Sequence, residues 1–494
     1  MTVPADQAPV AALLRRLAGA DPVETHISAV FVGPDTVWKL KKAVRLGFLD
    51  FSELASRQHF VRRELALNQP HAPGLYRDVV PVTRAPDGTL ALDGAGEPVE
   101  WVLRMAPVPP GDFLDVIARS GGLTPELLDA TADAVVALHE AAPPAPSGFG
   151  APGAMARVLA GNLRDCRETG LPEARVAALG AAMQARLSAL TPHMAAREAA
   201  GRVRRCHGDL HLGNLCLWEG RPTPFDALEF DEALATTDTG YDLAFLLMDL
   251  CAQGHRAAAN RLMNRYLART GDFGLLPPLG FWMALRAMVR AHVAARRGED
   301  GLGYLAAAEA HIRPVPQRLV AVGGLQGTGK TWLARQIAPD LGAAPGALHL
   351  RTDETRKRRA GVAPEARLPP AAYAEAESQA VHAEIFAAAR AALGAGHSVV
   401  LDAVFLDPAQ RQAAEAAAAP YPFKGFWLAA PLDLLRRRVA ERSAAGRDAS
   451  DATVAVLDQA ATADPGAITW QQVDAGAPLE PVRAALALTP VTGA

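Results

Sequence analysis

The stretch Cys206-His207-Gly208-Asp209-Leu210-His211-Leu212-Gly213-Asn214 carries the pattern H-x-D-x-x-x-x-N. In phosphoryl transfer to a hydroxyl group, one carboxylate must accept or orient the hydroxyl proton. An amide oxygen slightly later in the same loop can ligate Mg²⁺. The pattern therefore identifies Asp209 as a candidate catalytic base and Asn214 as a candidate metal ligand.

A second metal-binding carboxylate is expected downstream of this loop. Pro224-Phe225-Asp226 ends a short apolar strand, and Asp226 occupies the place of the metal-binding aspartate in the kinase motif D-F-G. Ala227 and Leu228 replace the rest of that motif. The sequence thus predicts a metal site built from Asn214 and Asp226.

The residues upstream should supply a lysine for the nucleotide phosphates and a glutamate that orients it. Alternating segments at residues 26–33 and 37–42 predict a β-hairpin, followed by a helix that begins near Ser52. Lys39 and Lys41 are two residues apart on the second strand and point the same way, so either can be the phosphate lysine. Lys39 is favoured, Lys41 is kept, and Glu64 on the helix is the expected partner. For each lysine alone, a solvated basic strand edge explains the sequence about as well.

These motifs resemble the aminoglycoside phosphotransferase family, which includes choline kinase-like enzymes and is related in fold to protein kinases. C-H-G-D-L-H-L-G-N, P-F-D-A-L-E-F-D and T-G-Y-D-L-A-F-L-L-M-D carry the match, which covers about residues 20–300. The resemblance implies a two-lobed α+β domain that uses ATP and Mg²⁺, with Asp242 in a structural role. This sequence lacks the G-x-G-x-x-G loop between its first strands. Nearby Glu229, Asp231 and Glu232 are expected to form an acidic surface turn.

A phosphate-binding loop follows in the C-terminal part, where Gly324-Leu325-Gln326-Gly327-Thr328-Gly329-Lys330-Thr331 fits G-x-x-x-x-G-K-[ST]. The loop presents backbone N–H groups to phosphate oxygens, Lys330 adds a positive charge, and Thr331 offers a hydroxyl to Mg²⁺. A strand-like segment precedes the loop and a helical one follows it. The expected nucleotide-binding residues are Gly324, Gly327, Thr328, Gly329, Lys330 and Thr331.

Three later features favour a small-substrate kinase over a motor or a GTPase. Asp353 follows the second strand and is a candidate base for an acceptor hydroxyl, while Asp402 ends the third strand and is a candidate Mg²⁺ partner. Arginines before residues 448–451 suit a lid that closes on phosphates, and Arg438 and Arg442 share a helix face. For any single arginine, a solvated surface helix is an equally good explanation.

This C-terminal part resembles P-loop kinases of the polynucleotide-kinase and zeta-toxin type over about residues 317–465. The P-loop, R-T-D-E-T-R, L-D-A-V-F and R-R-R-V-A-E-R-x-x-x-G-R-D carry the match. The resemblance implies that Asp353 is the general base, that Arg356 helps to hold the acceptor, and that Arg442 or Arg447 contacts ATP. The fusion of the two kinds of domain looks like a bacterial two-domain family.

Length and composition agree with a soluble two-domain enzyme. The chain has 494 residues, a net charge of −3 and four cysteines, which argues against a strongly basic nucleic-acid binder and against a disulfide scaffold. No signal peptide or membrane segment is evident, so a cytoplasmic location is expected. Two prolines near residue 314 predict a linker between a kinase-like domain, residues 1–313, and an α/β P-loop domain with a parallel sheet, residues 314–494.

The leading hypothesis is a bifunctional phosphotransferase that uses ATP and Mg²⁺ at both sites. Each acceptor is expected to be a small-molecule or nucleotide-like hydroxyl compound. A nucleic-acid acceptor is conceivable for the C-terminal domain but is not indicated by charge. The alternatives are an ATP-sensing regulatory protein and a toxin-like kinase with a built-in controlling domain. An intact set of Asp209, Asn214 and Asp226 argues against a degenerate first domain.

Overall fold

A computed structural model describes residues 2–46, 49–146, 149, 151–445 and 448–488. The helices are α1 (Ala8–Ala18), α2 (Leu54–Asn68), α3 (Leu114–Arg119), α4 (Pro125–Ala141), α5 (Ala151–Glu168), α6 (Glu173–Ala199), α7 (Glu232–Ala235), α8 (Thr239–Ala252), α9 (Arg256–Thr270), α10 (Leu276–Arg296), α11 (Gly301–Ile312), α12 (Lys330–Ile337), α13 (Thr352–Arg359), α14 (Glu375–Gly394), α15 (Pro408–Ala418), α16 (Leu432–Ala445), α17 (Val454–Thr462) and α18 (Glu480–Ala485). The strands are β1 (Val23–Glu24), β2 (Ser28–Val32), β3 (Val37–Lys41), β4 (Arg45–Leu46), β5 (Leu49–Asp50), β6 (Tyr76–Arg84), β7 (Leu90–Leu92), β8 (Glu97–Met105), β9 (Val203–Arg205), β10 (Leu215–Trp218), β11 (Arg221–Pro224), β12 (Thr236–Asp238), β13 (Leu319–Gly324), β14 (Leu348–Arg351), β15 (Val399–Asp402), β16 (Phe423–Ala429) and β17 (Gln471–Asp474).

The chain folds into two compact units, and each is assembled from two segments. One unit contains residues 1–154 and 197–246, and the other contains residues 155–196 and 247–494. The predicted domain boundary after residue 313 lies within the second unit, between the end of α11 and the start of β13. That boundary stays a prediction.

A six-stranded antiparallel sheet with the order β1-β2-β3-β8-β6-β7 dominates the first unit. Side chains alternate between its faces, as the pleat of a strand requires. Leu40 of β3 packs in the apolar core that includes Leu14 of α1, whereas Val61 of α2 packs in the core of the opposite face. Lys39 and Lys41 alternate with Leu40, so they lie on the face that α2 covers. This placement brings two cations of β3 next to Glu64.

Short two-stranded elements support the predicted catalytic loop. Strand β9 precedes the loop and pairs with β12, and hairpin β10–β11 follows it, with Leu215 opposite Pro224. The hairpin therefore brings the segment after Pro224, including Asp226, back beside Asn214. A backbone hydrogen bond of 3.0 Å from the Phe225 N–H to the Asn214 carbonyl closes this arrangement.

The second unit contains a five-stranded parallel sheet with the order β14-β15-β13-β16-β17. Its register places Asp402 at the end of β15 opposite Val322 of β13 and Arg351 of β14. Because parallel strands end at the same edge, the P-loop and these side chains gather there. The predicted fold class is confirmed: an α+β kinase-like domain is followed by an α/β P-loop domain with a parallel sheet.

Some local predictions need correction. Ser52 was predicted to be the N-cap of the helix, but the helix begins at Leu54 and Glu53 is in the N-cap position. Strand β17 has an ordinary edge-strand sequence and was not predicted. Among the described residues, no helix has both the length and the apolar character needed to cross a membrane.

Candidate active sites

A chain of alternating charges lines the first unit between β3 and α2. One carboxylate oxygen of Glu64 accepts a hydrogen bond from Lys39 Nζ and the other accepts one from Lys41 Nζ, each at 2.7 Å. Lys39 also pairs with Asp226 at 2.5 Å, and Lys41 pairs with Glu229. Burial alone would raise the pKa of Glu64, but the charges of Lys39 and Lys41 lower it to about 2. Glu64 therefore stays ionised and holds both lysines.

The two lysines differ in access to solvent. The Lys41 side chain is 1% exposed and is enclosed by Glu64, Glu229 and the ring of Phe51. The Lys39 side chain is 12% exposed and its partner Asp226 is 40% exposed, so this end of the charge chain is open. The structure thus brings Lys39, Glu64 and Asp226 together as predicted. Lys41 is instead shielded from solvent.

Glu229 does not lie on an acidic surface turn, as the sequence suggested. It is buried and pairs with Lys41. Asp231 caps the short helix α7, and Glu232 contacts Arg63 and Arg205. The expectation was wrong for Glu229 because its partner lies 188 residues away in the sequence.

The catalytic loop holds Asp209 and Asn214 side by side. The Asn214 amide nitrogen donates to the Asp209 carbonyl at 2.9 Å and to its carboxylate at 3.0 Å. A short 3₁₀ turn over Leu212–Asn214 makes this approach possible, and the His211 ring accepts the Gly213 N–H at its start. Among described residues, none donates to the Asn214 amide oxygen, which makes that oxygen a candidate metal ligand.

The buried side chains of His207 and Asp242 hold this loop in place, His207 through its ring nitrogens. His207 Nδ1 accepts the Asp209 backbone N–H, and its Nε2 faces the Phe225 carbonyl at 2.9 Å. Burial lowers the pKa of His207. Since a backbone N–H only donates and a carbonyl only accepts, neutral His207 carries its proton on Nε2. His207 therefore links the base loop to the segment that bears Asp226, a role that the sequence pattern did not reveal.

Asp242 supports the same loop, in agreement with its expected structural role. Its carboxylate accepts the backbone N–H groups of His207 at 3.2 Å and Gly208 at 2.8 Å. It also lies 3.2 Å from His139 Nε2, and Cys206 completes a buried group of potential metal ligands within 4.8 Å. Because Asp242 accepts two backbone N–H groups of the loop, it holds the loop in place.

Asp226 takes an unusual backbone conformation. Its φ is +61°, a left-handed value that is uncommon for residues other than glycine. The Tyr76 hydroxyl accepts the Asp226 N–H at 2.9 Å, and the Asn68 side chain accepts the Ala227 N–H at 2.9 Å. These bonds hold the segment in its strained conformation and aim the Asp226 carboxylate towards Lys39.

In the second unit, the P-loop has the backbone that phosphate binding requires. Gly324 has a φ of +136°, and a Cβ there would lie 2.4 Å from the Leu428 carbonyl oxygen. Gly329 has a φ of +89°, forms the N-cap of α12, and a Cβ there would have no neighbour within 4 Å. The first glycine is needed for packing. The second leaves open space at a helix N-terminus where an anion can approach the backbone.

Charged side chains converge beside this loop. Lys330 Nζ donates to the Leu325 carbonyl at 2.9 Å, and the Thr331 hydroxyl donates to Asp402 at 2.6 Å. Burial lowers the pKa of Lys330 to about 8, against the opposing charge of Asp402. Burial would raise the pKa of Asp402, but the hydrogen bond from His349 and the charge of Arg351 hold it well below its usual range. Asp402 is therefore ionised next to Thr331.

Two contributors to this site were not predicted. His349 Nε2 lies 3.3 Å from Asp402, and Arg351 Nε lies 3.4 Å from the same oxygen. Arg351 also pairs with Glu354 at 3.0 Å and Asp448 at 3.2 Å. The register of two adjacent parallel strands that end together could have predicted Arg351, which lies opposite Asp402, but not His349.

The remaining predicted residues occupy different surroundings. Asp353 is the second residue of α13, and burial raises its pKa. The Arg356 guanidinium donates to the Ala372 carbonyl and the Ser378 hydroxyl, although its buried Nε has no partner among described residues. Arg442 contributes positive charge near Lys330. Arg447 lies outside the described residues.

Both sites have donor sets that fit Mg²⁺ and a nucleoside triphosphate. The first offers the oxygens of Asn214 and Asp226, with Lys39 as a cation beside them. The second offers the Thr331 hydroxyl next to Asp402, an open cradle at Gly329 and the ammonium of Lys330. These are oxygen ligands and cations of the kind that phosphoryl transfer requires.

Comparisons with known proteins agree with this description. A model of the phosphotransferase enzyme family matches residues 30–279, and an AAA domain model matches residues 319–463. An uncharacterised protein of Mycobacterium tuberculosis is 30% identical over 462 residues, which cover 88% of each chain.

Two solved structures are similar to separate parts of the chain. A choline/ethanolamine kinase family protein from Mesorhizobium loti is 14% identical, with a TM-score of 0.36, and the match covers 62% of this chain and 92% of that one. A gluconokinase from Sinorhizobium meliloti is 22% identical, with a TM-score of 0.25, covering 35% of this chain and 92% of that one. By its family match over half of its length, the chain belongs to the phosphotransferase enzyme family and carries a P-loop kinase-like domain after the phosphotransferase domain.

Proposed function

We propose that the protein is a bifunctional phosphotransferase that uses ATP and Mg²⁺ at two separate sites. Each site would transfer a γ-phosphoryl group to a hydroxyl of a small-molecule or nucleotide-like acceptor. The observation that carries the proposal is the assembly of a complete set around Lys39: Glu64 beside it, Asp226 against it, and Asp209 with Asn214 in the adjoining loop. A protein that only senses ATP would not require a positioned base.

At the first site, Lys39 is the phosphate lysine and Glu64 fixes its ammonium. When bound, Mg²⁺–ATP would supply the phosphoryl group, and the metal would neutralise the charge that develops on its oxygens. Asp226 and Asn214 would hold the metal through their oxygens, and Lys39, which Glu64 fixes, would hold a phosphate oxygen. Asp209 accepts or orients the proton of the acceptor hydroxyl. Its orientation is set by the Asn214 amide and by the backbone bond to His207.

At the second site, Lys330 and the backbone N–H groups of the P-loop hold the phosphates. Thr331 binds the metal, and ionised Asp402 accepts the Thr331 hydroxyl proton in a hydrogen bond. Asp353 is the base for the second acceptor. Its burial raises its pKa, which brings it closer to the pH at which a general base is effective. Arg442 adds charge beside Lys330 and is assigned to ATP.

Calorimetric titration with a non-hydrolysable ATP analogue and Mg²⁺ tests whether two sites exist. The wild-type chain should bind close to two equivalents, and Lys330→Ala should bind one. Lys424→Ala is the matched control. Lys424 lies opposite Val320 near the start of its strand, away from the P-loop end of the sheet, and should retain both sites. A single wild-type site that survives Lys330→Ala would contradict the proposal.

A further inference from the structure

Strand β14 is at the edge of the parallel sheet, yet two outward-facing backbone groups at its start are paired. The Asn264 side chain of α9 donates from its amide nitrogen to the Ala347 carbonyl at 3.1 Å. The same side chain accepts the His349 backbone N–H at 2.7 Å through its amide oxygen. One carboxamide thus satisfies a donor and an acceptor that flank Leu348.

This pattern is the one that a neighbouring parallel strand would provide. In a parallel ladder, the N–H of one residue donates to the residue before its partner, and its C=O accepts from the residue after that partner. An asparagine side chain carries the same amide donor and acceptor as a peptide bond. Exposed edge strands are otherwise prone to unwanted pairing, so covering them has structural value. Asn264, which lies on a helix, therefore pairs with the start of β14 as a neighbouring strand would.

Further contacts hold α9 close to this edge. Asn260 Nδ2 also donates to the Ala347 carbonyl, at 2.9 Å. Gly346 has a φ of +126°, and a Cβ there would lie 2.8 Å from that nitrogen and 2.5 Å from the Ala338 carbonyl. Arg256 donates to the Gly342 carbonyl at 2.8 Å. The absence of a side chain at residue 346 permits the approach of the helix.

The contact between Asn264 and β14 is connected to the P-loop site through His349. His349, whose backbone is held by Asn264, reaches Asp402 with its ring at 3.3 Å, and Asp402 accepts the Thr331 hydroxyl at 2.6 Å. Helix α9 lies within residues 30–279, matched by the phosphotransferase family, whereas the AAA match begins at residue 319. Both elements nevertheless belong to the same compact unit.

We infer that α9 is a structural part of the P-loop domain and that Asn264 is a positioning residue for its metal site. The phosphotransferase segment of the chain thereby supplies the element that closes the P-loop sheet and orients His349 against Asp402. The effect on nucleotide binding rests on the function proposed above, whereas the effect on the sheet edge does not. A P-loop domain expressed without α9 would lack this support.

The test is Asn264→Leu in the full-length chain, with Asn162→Leu as the matched control. Asn162 is also a buried asparagine that donates to a backbone carbonyl, that of Leu285 at 3.1 Å, but it does not contact β14. Hydrogen exchange by mass spectrometry should show roughly tenfold faster exchange in peptides over residues 347–351 for Asn264→Leu only. Affinity for the Mg²⁺–ATP analogue at the Lys330-dependent site should fall about 10–100-fold, as for loss of a group that orients a metal ligand.

The conservative variant Asn264→Asp separates positioning from bulk stability. It keeps an acceptor for the His349 N–H, and Asn260 still donates to Ala347, so it should restore most of the lost affinity. Asn264→Ala, which removes the carboxamide without adding bulk, is the test protein if Asn264→Leu does not fold. Unchanged exchange over 347–351 would overturn the inference whatever the nucleotide result. Faster exchange with unaltered affinity would overturn the positioning role, and absence of binding in the wild type would refute only the proposed function.

Discussion

Replacement of each β3 lysine by methionine should give opposite phenotypes. In Lys41→Met, Glu64 and Glu229 lose the cation that lies between them, in surroundings where the Lys41 side chain is 1% exposed. Removal of one member of a buried ion pair destabilises a protein by about 3–5 kcal/mol. In Lys39→Met, buried Glu64 keeps Lys41 as a partner, and Asp226, which is 40% exposed, can be solvated, so we expect a smaller loss than in Lys41→Met. The affinity for ATP, in contrast, should fall strongly only in Lys39→Met.

The pH dependence of Lys41→Met provides an internal check. Without Lys41, two buried carboxylates repel each other, so at least one has a folded-state pKa above its unfolded value. Such a group favours folding below the unfolded pKa and loses that contribution as the pH rises through the folded pKa. The destabilisation should therefore be larger at pH 8 than at pH 5. Glu229→Gln in the Lys41→Met background should reduce it.

The assay combines urea unfolding with titration of the Mg²⁺–ATP analogue in a Lys330→Ala background. Lys42→Met is the control, because Lys42 is fully buried and its ammonium pairs with Glu24 at 2.6 Å and donates to the Thr25 carbonyl at 2.7 Å. It should lower stability and keep nucleotide affinity. If Lys41→Met abolished nucleotide binding with unchanged urea midpoint, while Lys39→Met bound normally, the two lysines would have been assigned the wrong way round.

Four further outcomes are expected. Asp209→Asn should lower turnover at the first site by ~10²–10⁴ and change ATP affinity only a few fold. Asp226→Ala should instead weaken Mg²⁺–ATP binding itself. Steady-state kinetics with an identified acceptor distinguishes the two effects. Glu64 has a pKa lowered to about 2 from 4.5, so its contribution to stability is present above pH 4.5 and lost as the pH falls towards 2; acid titration should show this loss, and Glu64→Gln should flatten it. Asp353→Asn should abolish transfer at the second site without changing nucleotide stoichiometry, as calorimetry would show. Limited proteolysis should cut between residues 312 and 319, and the two pieces should co-elute on gel filtration because α9 stays bound to β14; dissociation of folded pieces would contradict this.

Local patterns in the sequence predicted the elements that bear the chemistry. Alternation placed Lys39 and Lys41 on one face of β3, and the spacing of Asp209 and Asn214 within one loop brought them into contact. The P-loop was recognisable because its glycines and Lys330 meet a backbone requirement within eight residues. In each case the residues that determine the structure are close to one another in the sequence.

Contacts between distant segments were not predictable in the same way. Glu229 reads as part of an acidic turn until Lys41 is found beside it, and His349 reads as one polar residue of a buried strand until Asp402 is found 3.3 Å away. The pairing of Asn264 with β14 depends on the packing of a helix against a sheet edge 85 residues later. Neither periodicity nor motif spacing predicts such contacts between distant segments.

Transfer of label from γ-labelled ATP to components of a metabolite extract tests the central claim most directly. The wild-type chain should produce labelled organic products. Asp209→Asn should lose one set, Asp353→Asn should lose another, and the double variant should lose all of them while still binding nucleotide. Release of inorganic phosphate alone by the wild type, or labelling that survives in the double variant, would contradict the account of two active phosphotransferase sites.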